Sequence, residues 1–381
     1  MNSSSKHIII VAGEDSGDMH AAHLVKAIQE LELGFTFSGL GGPRMQERGV
    51  ELYQDLTRLA VVGFVEVLKH YREIKKSFDL ILKKIKNTAP AAVILVDYPG
   101  FNLRLAREIK RRHRRVKIIY YISPQVWAWK KNRVFQIKKY IDKMLVLFQF
   151  EKDFYAKFGM EVRFVGHPLV DGVEIKTEKN DLLSSLGLQE YKLTIGLLPG
   201  SRAKEVERHL PLMLEAARLL RDEFPMIQFL ILKAPSIDKV LIESTLAPSS
   251  LRVPILENQT YDGINACDLC MVTSGTATLE TALLRKPMVV LYKTSFLTWV
   301  LAKCFVKIRD IGLVNIVAGQ RIVPECVQFQ ATGQNIASEL KGIFTDEIKI
   351  SAIKSELTKV KESLGAAGAS HRAAEEIVQM L

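Results

Sequence analysis

Short apolar runs of β-forming residues alternate along this chain with stretches whose apolar positions recur at helical spacing. His7–Ala12, Ala91–Val96, Val116–Ile122, Met144–Phe148 and Val162–Val165 read as strands, and Met19–Leu31 and Asn102–Arg112 as helices. After a polar stretch, Lys176–Gln189, the pattern restarts. Leu193–Leu198, Ile227–Leu232, Leu269–Val272 and Pro287–Tyr292 read as strands, and Glu205–Glu223 and Thr276–Leu284 as helices. Ala337–Leu381 reads as helix broken by one loop at Gly365–Ala369. Strand–helix alternation of this kind predicts mostly parallel sheets covered by helices. The expected architecture is α/β, with two Rossmann-like βαβ domains at 1–175 and 176–345 facing a cleft. A helical segment, 346–381, then packs back on the first domain or on a partner. Ligands of open α/β sheets bind at the carboxyl ends of the strands, so the loops there are where chemistry is sought.

Composition changes this picture in two ways. The 381 residues are 48% hydrophobic and 25% charged, ordinary for a globular protein of about two domains, but the net charge is +11. A basic surface attracts nucleic acid, anionic lipid or phosphorylated ligands without choosing among them. Four cysteines, with no second pair or nearby histidine to complete the CxxC of Cys267 and Cys270, give neither a disulfide framework nor a zinc site. Two small apolar residues on a buried strand is the better reading. The polar Met1–His7 stretch runs straight into a strand, so no secretory signal is expected, and no apolar run reaches about 18 residues. The expectation is a protein of a reducing cytoplasm.

The strand-end loops carry the candidate site. The first strand ends in AGEDSGDMH, where Glu14, Ser16, Asp18 and His20 follow Gly13. The loop lacks GxGxxG, and its three acids repel phosphate, so it suits sugar hydroxyls better than a diphosphate. Asp18 or Ser16 as a helix cap is the plainer alternative. Asp97, in DYPGFN, stands at a strand's carboxyl end before a Pro-Gly turn; an apolar setting there raises its pKa and equips it to take a proton from an alcohol. SPQVWAW brings Gln125, Trp127 and Trp129 beside Lys130 and Lys131, rings that pack on sugar or acyl chains, or form a buried pair. In the second domain, LLPGSR sets Gly200, Ser201 and Arg202 between strand and helix, a turn that faces an anion. A cation at a helix N-terminus is unfavourable unless an anion accompanies it. TSGTATLE places Ser274, Gly275 and Thr276 at a second such turn, with Glu280 one turn on to accept the hydroxyls of a ribose.

In order, the loops AGEDSGD, DYPGFN, SPQVWAW, FVGHPLVD, LLPGSR, TSGTATLE and LVNIVAGQ resemble the motif series of the lipid-A-disaccharide synthases, over about four-fifths of the chain. Asp15 departs from it, standing where the family more often has a small residue. The resemblance implies a two-domain GT-B-type glycosyltransferase that inverts the anomeric centre. It joins UDP-2,3-diacylglucosamine to 2,3-diacylglucosamine 1-phosphate, giving the β-1,6 disaccharide phosphate and UDP, with no metal and no cofactor beyond the donor substrate. It further implies Asp97 as base, Arg202 and the amides after Gly200 and Gly275 against the leaving UDP, Glu280 on the ribose, and Asn315 on uridine or phosphate.

Substrates with acyl chains require contact with a membrane. In VVGFVEVLKHYREI, residues 61–74, Phe64, Val65, Val67, Leu68 and Tyr71 gather on one helix side with Lys69 and Arg72 beside them, the pattern of an interfacial helix or of a core-facing one. Phe296–Lys307 offers a second candidate with Trp299. Asn102–Lys117 holds eight arginines and lysines against Glu108, a face that draws a protein to anionic lipid or is simply solvated. The expected location is peripheral, on the cytoplasmic face of the inner membrane of a Gram-negative bacterium, and a homodimer is one possible assembly. One rival is another UDP-sugar transferase or epimerase of the same build. A nucleic-acid binder ranks lower, because the basic helix lacks interleaved aromatics.

Overall fold

A computed structural model describes residues 6–57, 71–128, 131–296, 298–300 and 309–381. The chain divides into two compact units, one of Met1–Asp171 with Leu364–Leu381 and one of Gly172–Ser363. The division falls at 171/172 and 363/364 rather than at 175/176 and 345/346. Its cause is packing. The helix Glu347–Ser363 buries Ile353, Leu357 and Val360, and lies on the second unit's helices Ala277–Leu283 and Leu313–Ala318. Of the expected C-terminal segment, only the helix Ala369–Val378 returns to the first unit, against Asp15–Leu31. It is tied there by Arg372, whose Nε donates to the Val165 carbonyl at 2.8 Å, and by a Lys143–Glu376 ion pair at 2.6 Å.

In the first unit the strands are β1 (Lys6–Ala12), β2 (Phe35–Gly41), β3 (Glu51–Asp55), β4 (Ala92–Val96), β5 (Lys117–Tyr121), β6 (Lys143–Val146) and β7 (Arg163–Phe164). They lie in the order β3-β2-β1-β4-β5-β6-β7, and every pairing is parallel. The second unit has β8 (Leu193–Leu198), β9 (Ile227–Lys233), β10 (Ile255–Glu257), β11 (Leu269–Thr273), β12 (Met288–Tyr292) and β13 (Glu325–Val327), in the order β10-β9-β8-β11-β12-β13. Both sheets are doubly wound, and their central strands are largely apolar because helices cover both faces. Ile8 to Ala12 and all of β4 are fully buried.

The pattern of apolar runs finds the central strands and misses β2, β3, β10 and β13. β2 reads FTFSGLG, with glycines that lower strand propensity. Gly39 is nonetheless required: a Cβ there would lie 1.8 Å from the carbonyl oxygen of Ile10 on the neighbouring strand. Cys267 and Cys270 are free and buried, but only Cys270 lies on a strand, β11; Cys267 ends the helix Thr260–Ala266 before it. The interfacial-helix residues Phe64, Val65, Val67, Leu68 and the side chain of Tyr71 lie outside the described residues, as do Trp129 and Lys130 and most of Phe296–Lys307. Among the described residues, no helix is long and apolar enough to cross a membrane.

Candidate active site

In each sheet the strand order reverses at one place, between β1 and β4 in the first unit and between β8 and β11 in the second. The connections on either side of such a point leave in opposite directions and open a crevice at the carboxyl ends. Four of the candidate loops fall there, while Gln125 and Trp127 follow β5 and Asn315 lies on the helix Leu313–Ala318. Gly13 and Glu14 follow β1, Asp97 follows β4, Gly200 to Arg202 follow β8, and Ser274 to Thr276 follow β11.

Asp97 sits in an unusual stretch of backbone. Asp97 and Tyr98 both have φ of +44°, the left-handed region that costs a non-glycine residue on the order of 1–3 kcal/mol. The cost is met by anchoring the Asp97 carbonyl, which accepts hydrogen bonds from Asn102 Nδ2 at 2.8 Å and from the Tyr120 hydroxyl. Asn102 is fully buried, and its Nδ2 also reaches the Val96 carbonyl at 3.2 Å. The Tyr98 ring lies over Gly13, where a Cβ would come within 2.2 Å of it. Pro99 and Gly100 do not form the expected turn; they open the helix Pro99–Arg112, in which proline's fixed φ suits the first position. The carboxyl of Asp97 is raised to about 7, first by burial and then by the nearby Glu14, with the Tyr98 amide pulling the other way. It is therefore a carboxylate matched to taking a proton near neutral pH.

The other first-unit candidates separate. The helix after β1 begins at Asp15 and has Glu14 in the capping position, so neither Ser16 nor Asp18 is the cap. Asp18 is 1% exposed and spends its carboxylate on the backbone amides of Gly42, Arg44 and Met45, at 2.8, 3.0 and 3.2 Å. It fastens the β2 turn and has no face left for a sugar, a correction to its assignment as an acceptor contact. Ser16 and Gln125 are exposed. His20 is pushed down to about 4 by burial and by His23, and its Nδ1 is buried without a partner. As a base near pH 7 it is much weaker than Asp97. Trp127 donates its Nε1 to Glu151 Oε1 at 3.3 Å and meets Phe150 edge-on at 5.1 Å.

Glu151 was not legible as a functional group. It is 2% exposed, and its other oxygen accepts the Phe148 amide at 3.3 Å. Burial pushes it up to about 8, which favours the neutral acid at pH 7, and it moors the Trp127 loop to the helix Gln149–Ala156. His167, from FVGHPLVD, is pushed down to about 3 by burial and by His20, and its Nδ1 accepts the Leu169 amide at 3.2 Å.

The second unit holds a cavity of about 270 Å³ lined by Gly200, Ser201, Ser274, Gly275, Thr276 and Glu280, along with Leu198, Glu205, Thr273 and the segment Ala234 to Ser236. Gly200 has φ of +123°, open to glycine at no steric cost. Around Gly275 a Cβ would meet nothing within 4 Å, so the backbone there presents a bare face. Glu280 is raised by burial, and the Tyr261 hydroxyl, a residue the sequence did not flag, sits 3.5 Å from its Oε1. Ser274 turns its hydroxyl to the Ile311 carbonyl at 2.9 Å. Arg202 is 61% exposed and pairs with Glu205 at 2.9 Å through one nitrogen. Glu205 is the anion that makes a cation tolerable at this helix start, and a surface pair of this kind is worth at most about 1 kcal/mol.

Asn315 is corrected outright. It is 1% exposed; its Nδ2 donates to the Val323 carbonyl at 2.9 Å and to Glu325 Oε1 at 2.8 Å, and its Oδ1 accepts the amides of Ile322 and Val323. Glu325 in turn accepts the Ile311 and Gly312 amides, both at 2.9 Å. Every polar atom of the Asn315 side chain is used within the protein, leaving none for a nucleotide.

Two doubly wound parallel sheets, one with an aspartate of raised pKa at its switch point and one with a glycine-opened cavity, are the build of a GT-B-type glycosyltransferase. Solved structures share the fold. A glycotransferase of kitacinnamycin has a TM-score of 0.66 at 14% identity, with 99% of each chain covered. The UDP co-structure of MnaA from S. aureus has a TM-score of 0.63 at 15% identity, covering 98% of this chain and 95% of that one. The sequence model of the lipid-A-disaccharide synthetase family matches residues 8–380. The lipid-A-disaccharide synthase of Geobacter metallireducens is 43% identical over 377 residues, covering 99% of this chain and 98% of the relative. Lipid-A-disaccharide synthase 1 of Legionella pneumophila (strain Philadelphia 1) is 41% identical, covering 96% and 95%. The chain belongs to the lipid-A-disaccharide synthase family.

Proposed function

We propose that the chain transfers the 2,3-diacylglucosamine of its UDP donor to the 6-hydroxyl of 2,3-diacylglucosamine 1-phosphate, with inversion, and that Asp97 is the base. The observation that carries this reading is the raised pKa of an aspartate held at a switch point in strained backbone. Asp97 takes the proton as the acceptor oxygen attacks C1 of the donor, and the bond from C1 to the UDP oxygen breaks. The charge that develops on UDP goes to the amides following Gly200 and Gly275 and to Arg202, the role a metal fills in other transferases. Glu280, steadied by Tyr261, takes the ribose hydroxyls. Glu14 and Trp127 belong to the acceptor side. The acyl chains of both substrates call for peripheral contact with an anionic membrane surface, for which residues 61–74 and the basic helix Pro99–Arg112 are the candidates.

The test is UDP release from diacylated UDP-glucosamine, with and without the lipid monosaccharide phosphate. Release is expected only when both are present. Turnover of water-soluble UDP-N-acetylglucosamine without any lipid would turn the assignment towards another UDP-sugar transferase or an epimerase of the same build.

A further inference from the structure

The cavity of the second unit carries a charge that a diphosphate site should not. Among the described residues, those lining it include two carboxylates, Glu205 and Glu280, and no lysine or arginine. Arg202 is not part of the lining, and its Nη1 is held 2.9 Å from Glu205 Oε1. The other oxygen of that carboxylate accepts the Ser201 amide at 3.1 Å. Glycine at 200 makes the arrangement possible, since a Cβ there would stand 2.8 Å from Glu205 Oε2. One side chain thus takes both the backbone amide and the guanidinium that an incoming phosphate needs.

We propose that Glu205 fills the anion position of this turn and that a nucleoside diphosphate binds by displacing it, taking over the Ser201 amide and Arg202. The proposal rests on the reading of this cavity as the donor site. The exchange is feasible because the Arg202–Glu205 pair is mostly exposed on the arginine side, at 61%, and so is weakly held. It is not free, because the Glu205 side chain is 14% exposed and its charge stays close to that of the phosphate. Glu205 therefore lowers affinity for the diphosphate and makes the UDP product easier to release. A carboxylate that instead aimed Arg202 at the phosphate would act with the opposite sign.

Glu205→Gln tests this, because glutamine keeps an acceptor for the Ser201 amide and removes the charge. UDP binding is measured by calorimetry, and uridine binding by ligand-observed NMR, for the wild type, Glu205→Gln and Arg202→Ala. The expected result is UDP binding about tenfold tighter in the glutamine variant, with uridine unchanged. UDP binding that is unchanged or weaker in Glu205→Gln, while Arg202→Ala weakens it, overturns the displacement and leaves the donor site standing. If neither substitution moves UDP binding, the donor-site reading falls and takes the proposal with it.

Discussion

At the β1/β4 switch point of the first unit the loops carry Glu14 and Asp97, with His20 one turn into the following helix. At the β8/β11 switch point of the second they carry Gly200, Ser201, Ser274, Gly275 and Thr276. The topology is the same, and so is the address at which each sheet presents its loops. The chemistry is opposite. In the first unit, burial and an acidic neighbour lift a carboxyl to about 7 and strained backbone holds it in place. In the second, small residues open a cavity, and one of the two acids lining it, Glu205, is already bound by an amide and a guanidinium. A doubly wound sheet settles where a site forms; the residues on its loops settle whether that site moves protons or holds charge.

The sharpest way to break this division is Asp97→Asn. Turnover is expected to fall about 10²- to 10⁴-fold, the range for removing a general base, while UDP affinity stays put. The same variant separates stability from activity. Because the folded pKa is raised from 3.8 to about 7, the folded state binds more protons in that window. Stability of the wild type is therefore lost as pH rises from about 4 to 7, and the cost is complete above 7. Asparagine does not ionise, so the variant should be more stable than the wild type at pH 8, by roughly a few kcal/mol at most and with a higher melting temperature, and the gap should close near pH 4. A melting curve at pH 8 no higher than the wild type's would show that burial does not strain this carboxylate.

Asn102→Ala reaches the same edge one step back. Losing the donor to the Asp97 carbonyl is expected to cost about 1–3 kcal/mol and to lower kcat, with UDP binding intact. Chemical denaturation and single-substrate kinetics check this, and a stable variant with full kcat would mean Tyr120 suffices. The smallest effect is expected across the divide. Arg202→Ala should weaken UDP about tenfold and leave the melting temperature within about 1 °C, since an exposed pair adds little to stability. A change in thermal stability larger than the change in UDP affinity would reverse the assignment of roles.

Much of this was legible in the chain. The apolar runs mark β1, β4, β8 and β11, the strands buried on both faces, and so they mark the two switch points and the loops beyond them. Edge strands such as β3 and β13 are short and half polar, and no periodicity distinguishes them from loop. The family resemblance points to Asn315 as a ligand contact, and its place in the strand-end loop points to Asp18. Only the folded chain shows that Asp18 has spent its carboxylate on the amides of Gly42, Arg44 and Met45, and Asn315 its amide on Ile322, Val323 and Glu325.

Local order alone determined the family, the double α/β build and the position of Asp97 at the end of a strand, because apolar periodicity and turn chemistry are set over a few residues. Tertiary structure decided which polar groups remain free. It set Asn102 and Tyr120 under the Asp97 carbonyl, pushed Glu151 towards the neutral acid, and sent residues 364–381 back to the first unit while 347–363 stayed with the second. Desolvation and hydrogen-bond pairing depend on every neighbour in space, and those neighbours are scattered along the chain.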